Sequence, residues 1–145
     1  MKTVVSRSAQ ETAALGRSFG LGLKPGEIVA LLGDLGSGKT QFVKGVCSGI
    51  GVNVSVTSPT FTLINEYPAP FGIVAHIDLY RIGSHQELRD LGIDSYFRDS
   101  CICLIEWAER ALAVLPLQYR RVKLTHGEGE NQRVVTVDDG VESLP

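Results

Sequence analysis

The stretch Glu27-Ile-Val-Ala-Leu-Leu-Gly33-Asp-Leu-Gly-Ser-Gly38-Lys39-Thr40 decides the fold of this chain. It matches the pattern G-x-x-x-x-G-K-[ST] of a phosphate-binding loop at every fixed position. The apolar run at 28–32 is typical of a strand that is buried on both faces of a parallel sheet. After Thr40, apolar side chains recur at helical spacing until the glycines at 49 and 51. The sequence therefore predicts a loop that joins a strand to the start of a helix.

This loop has the residues needed to hold a chain of phosphoryl groups. Gly36 and Gly38 have no side chains, so the backbone can approach a polyphosphate closely. The amide groups of residues 35–40 are expected to turn inward, next to the unsatisfied N–H groups of the helix start. Lys39 is expected to reach the β- and γ-phosphates, and the Thr40 hydroxyl is expected to bind Mg²⁺. The predicted nucleotide contacts in the loop are Asp34, Leu35, Gly36, Ser37, Gly38, Lys39, Thr40 and Gln41.

Length and composition indicate an ordinary soluble protein. The 145 residues fit one domain, which we expect to span 1–145. No apolar run approaches the roughly 20 residues that cross a membrane, so none is expected to do so. The net charge of −2 gives no electrostatic footprint for tight binding to nucleic acid by this chain alone.

The three cysteines argue against a disulfide framework, because their number is odd. Cys47 falls on the helix after the loop, and Cys101 and Cys103 fall in an apolar strand pattern, so all three are expected in the core. The N-terminus lacks the apolar segment of a secretion signal. A reduced, cytoplasmic setting is therefore expected.

The rest of the chain alternates between helix and strand patterns. Helices are expected at 8–20, 40–49, 84–92, 94–98 and 108–115, two of them opened by capping boxes. Strands are expected at 63–67, 73–79, 101–105, 122–125 and 133–137, with an extended piece at 53–57 and a turn at 68–72. The predicted fold class is α/β: a P-loop NTPase-like three-layer α/β/α sandwich with a mixed parallel and antiparallel sheet.

Two carboxylates end strand patterns, where a triphosphate site needs an acidic group. Magnesium prefers oxygen ligands, and hydrolysis needs a group that orients the attacking water. Glu106 follows the cleaner apolar run, so it is the first choice for holding Mg²⁺ through water or for orienting the attacking water. Asp78 is the second candidate. For each of them, the alternative is a carboxylate that only caps the next turn.

The loop Thr57-Ser58-Pro59-Thr60-Phe61 carries three hydroxyls fixed by a proline. Such a loop can order around a γ-phosphate, and the alternative is a plain hydroxyl-rich turn. His76, His85 and His126 show no partner residues in the sequence, so no catalytic role is assigned to them. Arg81 either faces developing phosphate charge or lies on the surface.

Absent motifs favour ATP over GTP. The sequence contains neither Asn-Lys-x-Asp nor Asp-x-x-Gly, the guanine-reading and switch motifs of Ras-like GTPases. It also lacks the Arg-rich lid segment of small-molecule kinases. Trp107 directly follows Glu106 and is either a core residue or a neighbour of the nucleotide.

Four motifs, in this order, resemble the TsaE family, formerly YjeE. They are Gly33-Asp-Leu-Gly-Ser-Gly-Lys-Thr40, Thr57-Ser-Pro-Thr-Phe61, His76-Ile-Asp-Leu-Tyr-Arg81 and Leu104-Ile-Glu-Trp107. The resemblance implies a small ATPase of tRNA threonylcarbamoyladenosine synthesis that binds ATP and Mg²⁺ and hydrolyses ATP weakly. Its partners would be TsaD and TsaB, which transfer a threonylcarbamoyl group to the adenosine next to the anticodon in ANN-decoding tRNAs. ATP hydrolysis would reset that assembly between turnovers. The protein would contact tRNA only indirectly, through the assembly.

The resemblance also implies roles for single residues. The loop with Thr57, Ser58 and Thr60 would be switch-like, and Trp107 would lie near the nucleotide. The implied catalytic residues are Glu106, Lys39 and Asp78, and the implied metal ligands are Thr40, Glu106 and Asp78. Two other classes stay open: a small-metabolite kinase, and a nucleotide-dependent protein-binding module without useful hydrolysis.

Overall fold

Seven strands form one sheet at the centre of the protein. The structure is a computed structural model and describes residues 2–34 and 36–138. The strands are β1 (Lys2–Ser6), β2 (Ile28–Leu32), β3 (Ile64–Ala69), β4 (Gly72–Asp78), β5 (Cys101–Glu106), β6 (Arg120–His126) and β7 (Arg133–Asp138). The helices are α1 (Ala9–Leu21), α2 (Lys39–Ile50) and α3 (His85–Leu91), and two 3₁₀ turns span Ile93–Tyr96 and Ala108–Ala111.

The strand order β1-β7-β6-β2-β5-β4-β3 places the strand before the glycine-rich loop in the middle of the sheet. β2 pairs in parallel with β5 and β6, and β4 pairs in parallel with β5. The hairpins β3–β4 and β6–β7 and the pair β1–β7 are antiparallel. The predicted mixed sheet is therefore confirmed. Because β2, β4 and β5 run in one direction, their carboxyl ends meet at one edge, where open α/β sheets bind ligands.

Helical segments cover both faces of the sheet. Successive residues of β2 point to opposite faces: Val29 and Leu31 pack with the apolar side chains of α2, whereas Ile28 and Ala30 pack with α3 and the 3₁₀ turns. All four are buried. The three-layer α/β/α arrangement is confirmed, and it explains why every residue of β2 is apolar.

Glycines let α1 and α2 lie very close together. A Cβ atom at Gly16 would lie 2.2 Å from the carbonyl oxygen of Phe42, and one at Gly45 would lie 1.9 Å from that of Ala13. Both distances are much shorter than a van der Waals contact, so a larger residue at either position would push the helices apart. This packing fixes α2, which begins at Lys39 of the glycine-rich loop.

Two predicted helices are single 3₁₀ turns. The segment predicted at 108–115 is helical only over Ala108–Ala111, where two buried alanines stand three residues apart and no side chain caps the start. That spacing matches the 3₁₀ period of three residues per turn, so the buried pair favours the tighter helix. The segment predicted at 94–98 begins directly after the left-handed Gly92 and ends at Tyr96.

One strand boundary and one whole strand also differ from the prediction. β3 continues through Pro68 to Ala69, which shortens the predicted turn; proline is tolerated because β3 is an edge strand. The segment 53–57, predicted only as an extended piece, lies outside the sheet and outside the helices. β1 was not predicted, since most of its residues are exposed and its sequence gives only a weak apolar pattern.

The three cysteines are free and buried, as predicted. Burial raises the pKa of the Cys47 thiol to about 12, so this group stays protonated at neutral pH. Within residues 2–34 and 36–138, no helix is long and apolar enough to cross a membrane.

Candidate nucleotide-binding site

A cavity of about 320 Å³ opens at the edge where the carboxyl ends of β2, β4 and β5 meet. The first turn of α2 forms one wall, and two strand-end carboxylates with the loop at 57–61 form the opposite wall. The cavity is lined by Gly36, Gly38, Lys39, Thr40, Gln41, Ser58, Thr60, Asp78, Glu106, Trp107 and Arg133. Most of the predicted site residues are therefore brought together. Of the others, Asp34, Ser37 and Thr57 do not line the cavity, and Leu35 lies outside the described residues.

The glycine-rich loop needs glycine for its shape. Gly33 has a φ of 142°, and a Cβ atom there would lie 2.3 Å from the carbonyl oxygen of Leu124. Gly38 has a φ of 98° and precedes α2 without any side-chain cap. The first-turn N–H groups of α2 are thus left without a side-chain partner, which is the usual basis of anion binding at a helix start.

Lys39 is almost completely buried at the head of α2, with 5% of its surface exposed. Its ammonium group donates to the carbonyl oxygen of Gly33 at 2.5 Å and lies 4.0 Å from the centre of the Trp107 ring. Burial lowers the pKa of Lys39, against the opposing charges of Glu106, Glu109, Asp78 and Asp34. A buried cation with little access to water would gain from an anionic ligand.

Asp78 and Glu106 stand directly opposite each other on β4 and β5, and each is 4% exposed. Asp78 accepts from the Thr60 hydroxyl at 3.1 Å and from the backbone N–H of Tyr80 at 2.8 Å. It therefore caps the turn after β4, as the alternative interpretation held, and it also holds the loop. Glu106 pairs with a histidine, described below.

Oxygen donors on both walls suit a magnesium ion. The Thr40 hydroxyl and the carboxylates of Asp78 and Glu106 line the same cavity and are hard ligands of the kind Mg²⁺ prefers. Within the described part of the chain, no cluster of three or more His, Cys, Asp or Glu side chains could form a metal cage. The two carboxylates with the Thr40 hydroxyl fit Mg²⁺, which is usually held by one or two carboxylates together with substrate phosphates and water.

The loop at 57–61 reaches the cavity through two of its three hydroxyls. Ser58 and Thr60 line the cavity, and their hydroxyl oxygens are 2.7 Å apart. Thr57 lies further back, where its backbone N–H and carbonyl oxygen both bond to the Tyr67 hydroxyl, at 3.2 and 2.9 Å. Thr57 thus anchors the loop to the sheet.

Trp107 stands on the cavity wall and is half-buried. It has a left-handed φ of 57°, which is uncommon for a bulky residue and turns the chain sharply after β5. Its ring packs on Tyr80, with the ring centres 4.9 Å apart, and covers the Lys39 ammonium. Arg81, by contrast, is exposed, with its guanidinium over the Phe61 ring.

The interpretation of His76 as a residue without partners is wrong. His76 is fully buried on β4, and its Nε2 lies 2.6 Å from Glu106 Oε2. The partner stands thirty positions later in the sequence, so only the pairing of β4 with β5 brings it near. The sequence gives a partial indication that His76 lies near the site, because side chains alternate along a strand and His76 is therefore on the same face as Asp78.

Sequence reasoning also missed Arg133, at the start of β7. This residue lines the cavity beside Gly38, and its buried Nε has no hydrogen-bond partner within the described residues. Its Nη1 donates to the carbonyl oxygens of Glu130 and Gln132, which holds the guanidinium in place. Nothing in the local sequence around this arginine, which follows a hairpin turn, indicates that it lines the cavity.

Most of the chain is similar in sequence to one family of known proteins. A family model described as Threonylcarbamoyl adenosine biosynthesis protein TsaE matches residues 6–135. The chain belongs to the TsaE family. The recognition from four motifs is therefore confirmed, and the TsaE match extends beyond them into β7, where Arg133 lies.

Relatives and a solved structure agree with this membership. Proteins named tRNA threonylcarbamoyladenosine biosynthesis protein TsaE from Bacillus subtilis (strain 168) and Treponema pallidum (strain Nichols) are 39% and 43% identical. The alignments cover 88% and 77% of this chain, and 78% and 82% of those relatives. The crystal structure of YdiB from Bacillus subtilis superposes with a TM-score of 0.80 at 31% identity, covering 96% of this chain and 85% of that one. The TsaE family is thus involved in tRNA threonylcarbamoyladenosine biosynthesis, and its fold is the α/β fold described above.

Proposed function

We propose that this protein binds Mg-ATP and hydrolyses it slowly, in support of a TsaD–TsaB assembly. That assembly would carry out threonylcarbamoyl modification of the adenosine next to the anticodon in ANN-decoding tRNAs. One observation carries the proposal: a single cavity joins a glycine-rich loop, a buried lysine and a facing pair of carboxylates. The names of the relatives support the pathway.

In this proposal the wall formed by the glycine-rich loop binds the triphosphate. The amides at the start of α2 and the Lys39 ammonium would contact phosphate oxygens, because both are positive groups with few other partners. Arg133 would add a further donor, since its unpaired Nε lies next to Gly38. These groups fix the polyphosphate in one orientation.

The opposite wall would carry the hydrolysis. Thr40, Asp78 and Glu106 would hold magnesium, directly or through water, and the ion would neutralise charge on the phosphates. Glu106 would orient the attacking water. Ser58 and Thr60 lie on the same side, so the loop at 57–61 would contact the γ-phosphate and respond to its loss.

The experiment combines the full-length protein with ATP, Mg²⁺, tRNA and a TsaD–TsaB pair. We expect release of free phosphate, an ATP-dependent complex with the pair, and repeated rounds of tRNA modification. A phosphorylated small molecule instead of free phosphate would indicate the kinase. A different result would indicate the nucleotide-dependent binding module: the complex with the TsaD–TsaB pair forms, and Glu106→Gln supports as many rounds of tRNA modification as the wild type does. Absence of ATP binding by calorimetry would overturn the proposal as a whole.

A further inference from the structure

The Glu106 carboxylate is held by a histidine that lies outside the cavity. His76 is fully buried and does not line the cavity, yet its Nε2 lies 2.6 Å from Glu106 Oε2. Glu106 is itself 4% exposed, so little water is available to solvate this oxygen. Buried polar groups need partners, and a fixed partner determines their orientation.

The other side of the His76 ring faces the loop at 57–61 through a tyrosine. The Tyr67 hydroxyl lies 3.4 Å from His76 Nδ1, and Tyr67 is buried on β3. The same hydroxyl accepts from the backbone N–H of Thr57. Because His76 Nε2–H donates to the Glu106 carboxylate, neutral His76 can only accept at Nδ1, so the single hydroxyl proton of Tyr67 is shared between the Thr57 carbonyl oxygen at 2.9 Å and His76 Nδ1 at 3.4 Å. We call the series Thr57–Tyr67–His76–Glu106 the buried chain.

The loop has a second attachment, to the other carboxylate. The Thr60 hydroxyl donates to Asp78 Oδ2 at 3.1 Å, and Asp78 stands opposite Glu106 in the sheet. One end of the loop is therefore tied to Asp78 directly, and the other end is tied to Glu106 through the buried chain. A shift of the loop would remove a partner of Asp78 directly and would change the series of contacts that ends at Glu106.

We propose that His76 is a positioning residue for Glu106 and that Tyr67 couples it to the loop at 57–61. His76 then orients the carboxylate, and the position of the loop at 57–61 affects that orientation through Tyr67. This inference rests on the proposed role of Glu106 in the nucleotide site. Side chains that orient a functional group in this way are typically worth roughly 10- to 100-fold in activity.

Two amide substitutions of His76 distinguish a role in positioning Glu106 from a role in packing the core. In His76→Gln the amide nitrogen reaches approximately the place of Nε2, whereas in His76→Asn it lies near Nδ1. We expect His76→Asn to lower kcat roughly 10- to 100-fold with little change in the KM for ATP, and His76→Gln to recover most of the loss. Equal losses in the two variants, or wild-type kcat in His76→Asn, would overturn the inference.

Tyr67→Phe removes only the hydroxyl and is the variant to use if His76→Asn does not fold, as judged by circular dichroism. It keeps the His76–Glu106 contact but removes the bonds of Thr57 to Tyr67, so that, among the described residues, Thr57 retains only its contacts with the Asn65 amide. We expect kcat to fall by a smaller factor, about threefold to tenfold, because one link of the chain is lost while Glu106 keeps its partner. An unchanged kcat would contradict the coupling to the loop.

A measurement that does not depend on ATP hydrolysis can test this inference separately from the proposed function. Trp107 is the only tryptophan and directly follows Glu106, so its fluorescence reports on this turn. In the ligand-free protein, we expect His76→Asn to shift the emission while His76→Gln leaves it near the wild-type value. If wild type neither binds nor hydrolyses ATP, the proposed function fails, and the emission of the two variants still decides the positioning role. Identical emission of both variants and wild type would overturn it.

Discussion

The two walls of the cavity are built in different ways. The wall formed by residues 33–34 and 36–41 belongs to one segment of sequence, in which glycines shape the backbone and, among the described residues, no side chain caps the start of α2. The opposite wall consists of side chains from three separate segments, Asp78, Glu106 and the loop at 57–61, joined by hydrogen bonds. The first wall is local in sequence, and the second depends on the pairing of strands.

This difference suggests a division of labour. Backbone amides and one lysine bind charge without needing a mobile part, which suits tight binding of a polyphosphate. Side chains that hold each other across segments can take up more than one arrangement, which suits chemistry and switching. We therefore expect substitutions on the first wall to change mainly affinity, and substitutions on the second wall to change mainly turnover.

The largest effect is expected for turnover in Glu106→Gln. The amide keeps the size of the side chain but cannot act as a base or hold a cation as a carboxylate does, so kcat should fall roughly 100- to 10,000-fold. ATP affinity, measured by calorimetry, should stay close to the wild-type value. Glu109→Gln is the matched control, because Glu109 is an exposed carboxylate three residues later. Similar losses in both variants would contradict the assignment.

Lys39→Ala should show the opposite pattern. Removing the ammonium from the first wall deletes a hydrogen bond to a charged group, worth about 1.5–3 kcal/mol, so ATP affinity should fall roughly 10- to 150-fold. Lys44→Ala on the exposed side of α2 should bind ATP as wild type does. Circular dichroism should show a folded protein in both cases. Unchanged affinity in Lys39→Ala would mean that the first wall does not bind the phosphates.

The same contrast explains what the sequence could and could not predict. The strand, loop and helix around Gly33–Thr40 follow from local patterns, and the structure has them within two residues of the predicted bounds. Asp78 and Glu106 could be named because each ends an apolar run. Their direct pairing, and the contact of Glu106 with His76, depend on the register of β4 and β5, which no local pattern contains.

Other misses have the same physical origin. Arg133 enters the site because β6 and β7 form a hairpin beside β2, so a distant segment reaches Gly38. The segment 108–115 has good helix formers, but burial of Ala108 and Ala111 against the sheet limits it to a 3₁₀ turn. In both places tertiary packing overrides the local preference.

Thr60→Val tests how the second wall holds together. The substitution removes the hydroxyl that donates to Asp78, at a cost of about 1 kcal/mol, so kcat should fall about fivefold. Thr57→Val is the control, since it keeps the backbone bonds of Thr57 to Tyr67 and removes only a long contact of its hydroxyl with the Asn65 amide, at 3.4 Å. Steady-state hydrolysis of ATP measures both. If Thr57→Val is impaired as much as Thr60→Val, the two hydroxyls do not differ in the way the structure indicates.

The smallest effect concerns the proton on Lys39. Burial lowers the pKa of Lys39 in the free protein below its ordinary value of 10.5, whereas bound phosphate charge would raise it. As pH rises through the lowered pKa, ATP affinity should therefore fall, because binding then requires proton uptake. Over the same range the unfolded chain binds more protons than the folded one, so the free energy of unfolding of the ligand-free protein should rise. Calorimetry in buffers of different ionisation enthalpy measures the proton uptake, and denaturant melts measure the stability. In Lys39→Ala neither the affinity nor the stability should show this pH dependence, and a wild-type affinity that stays constant up to pH 10.5 would show that the phosphates do not contact this ammonium.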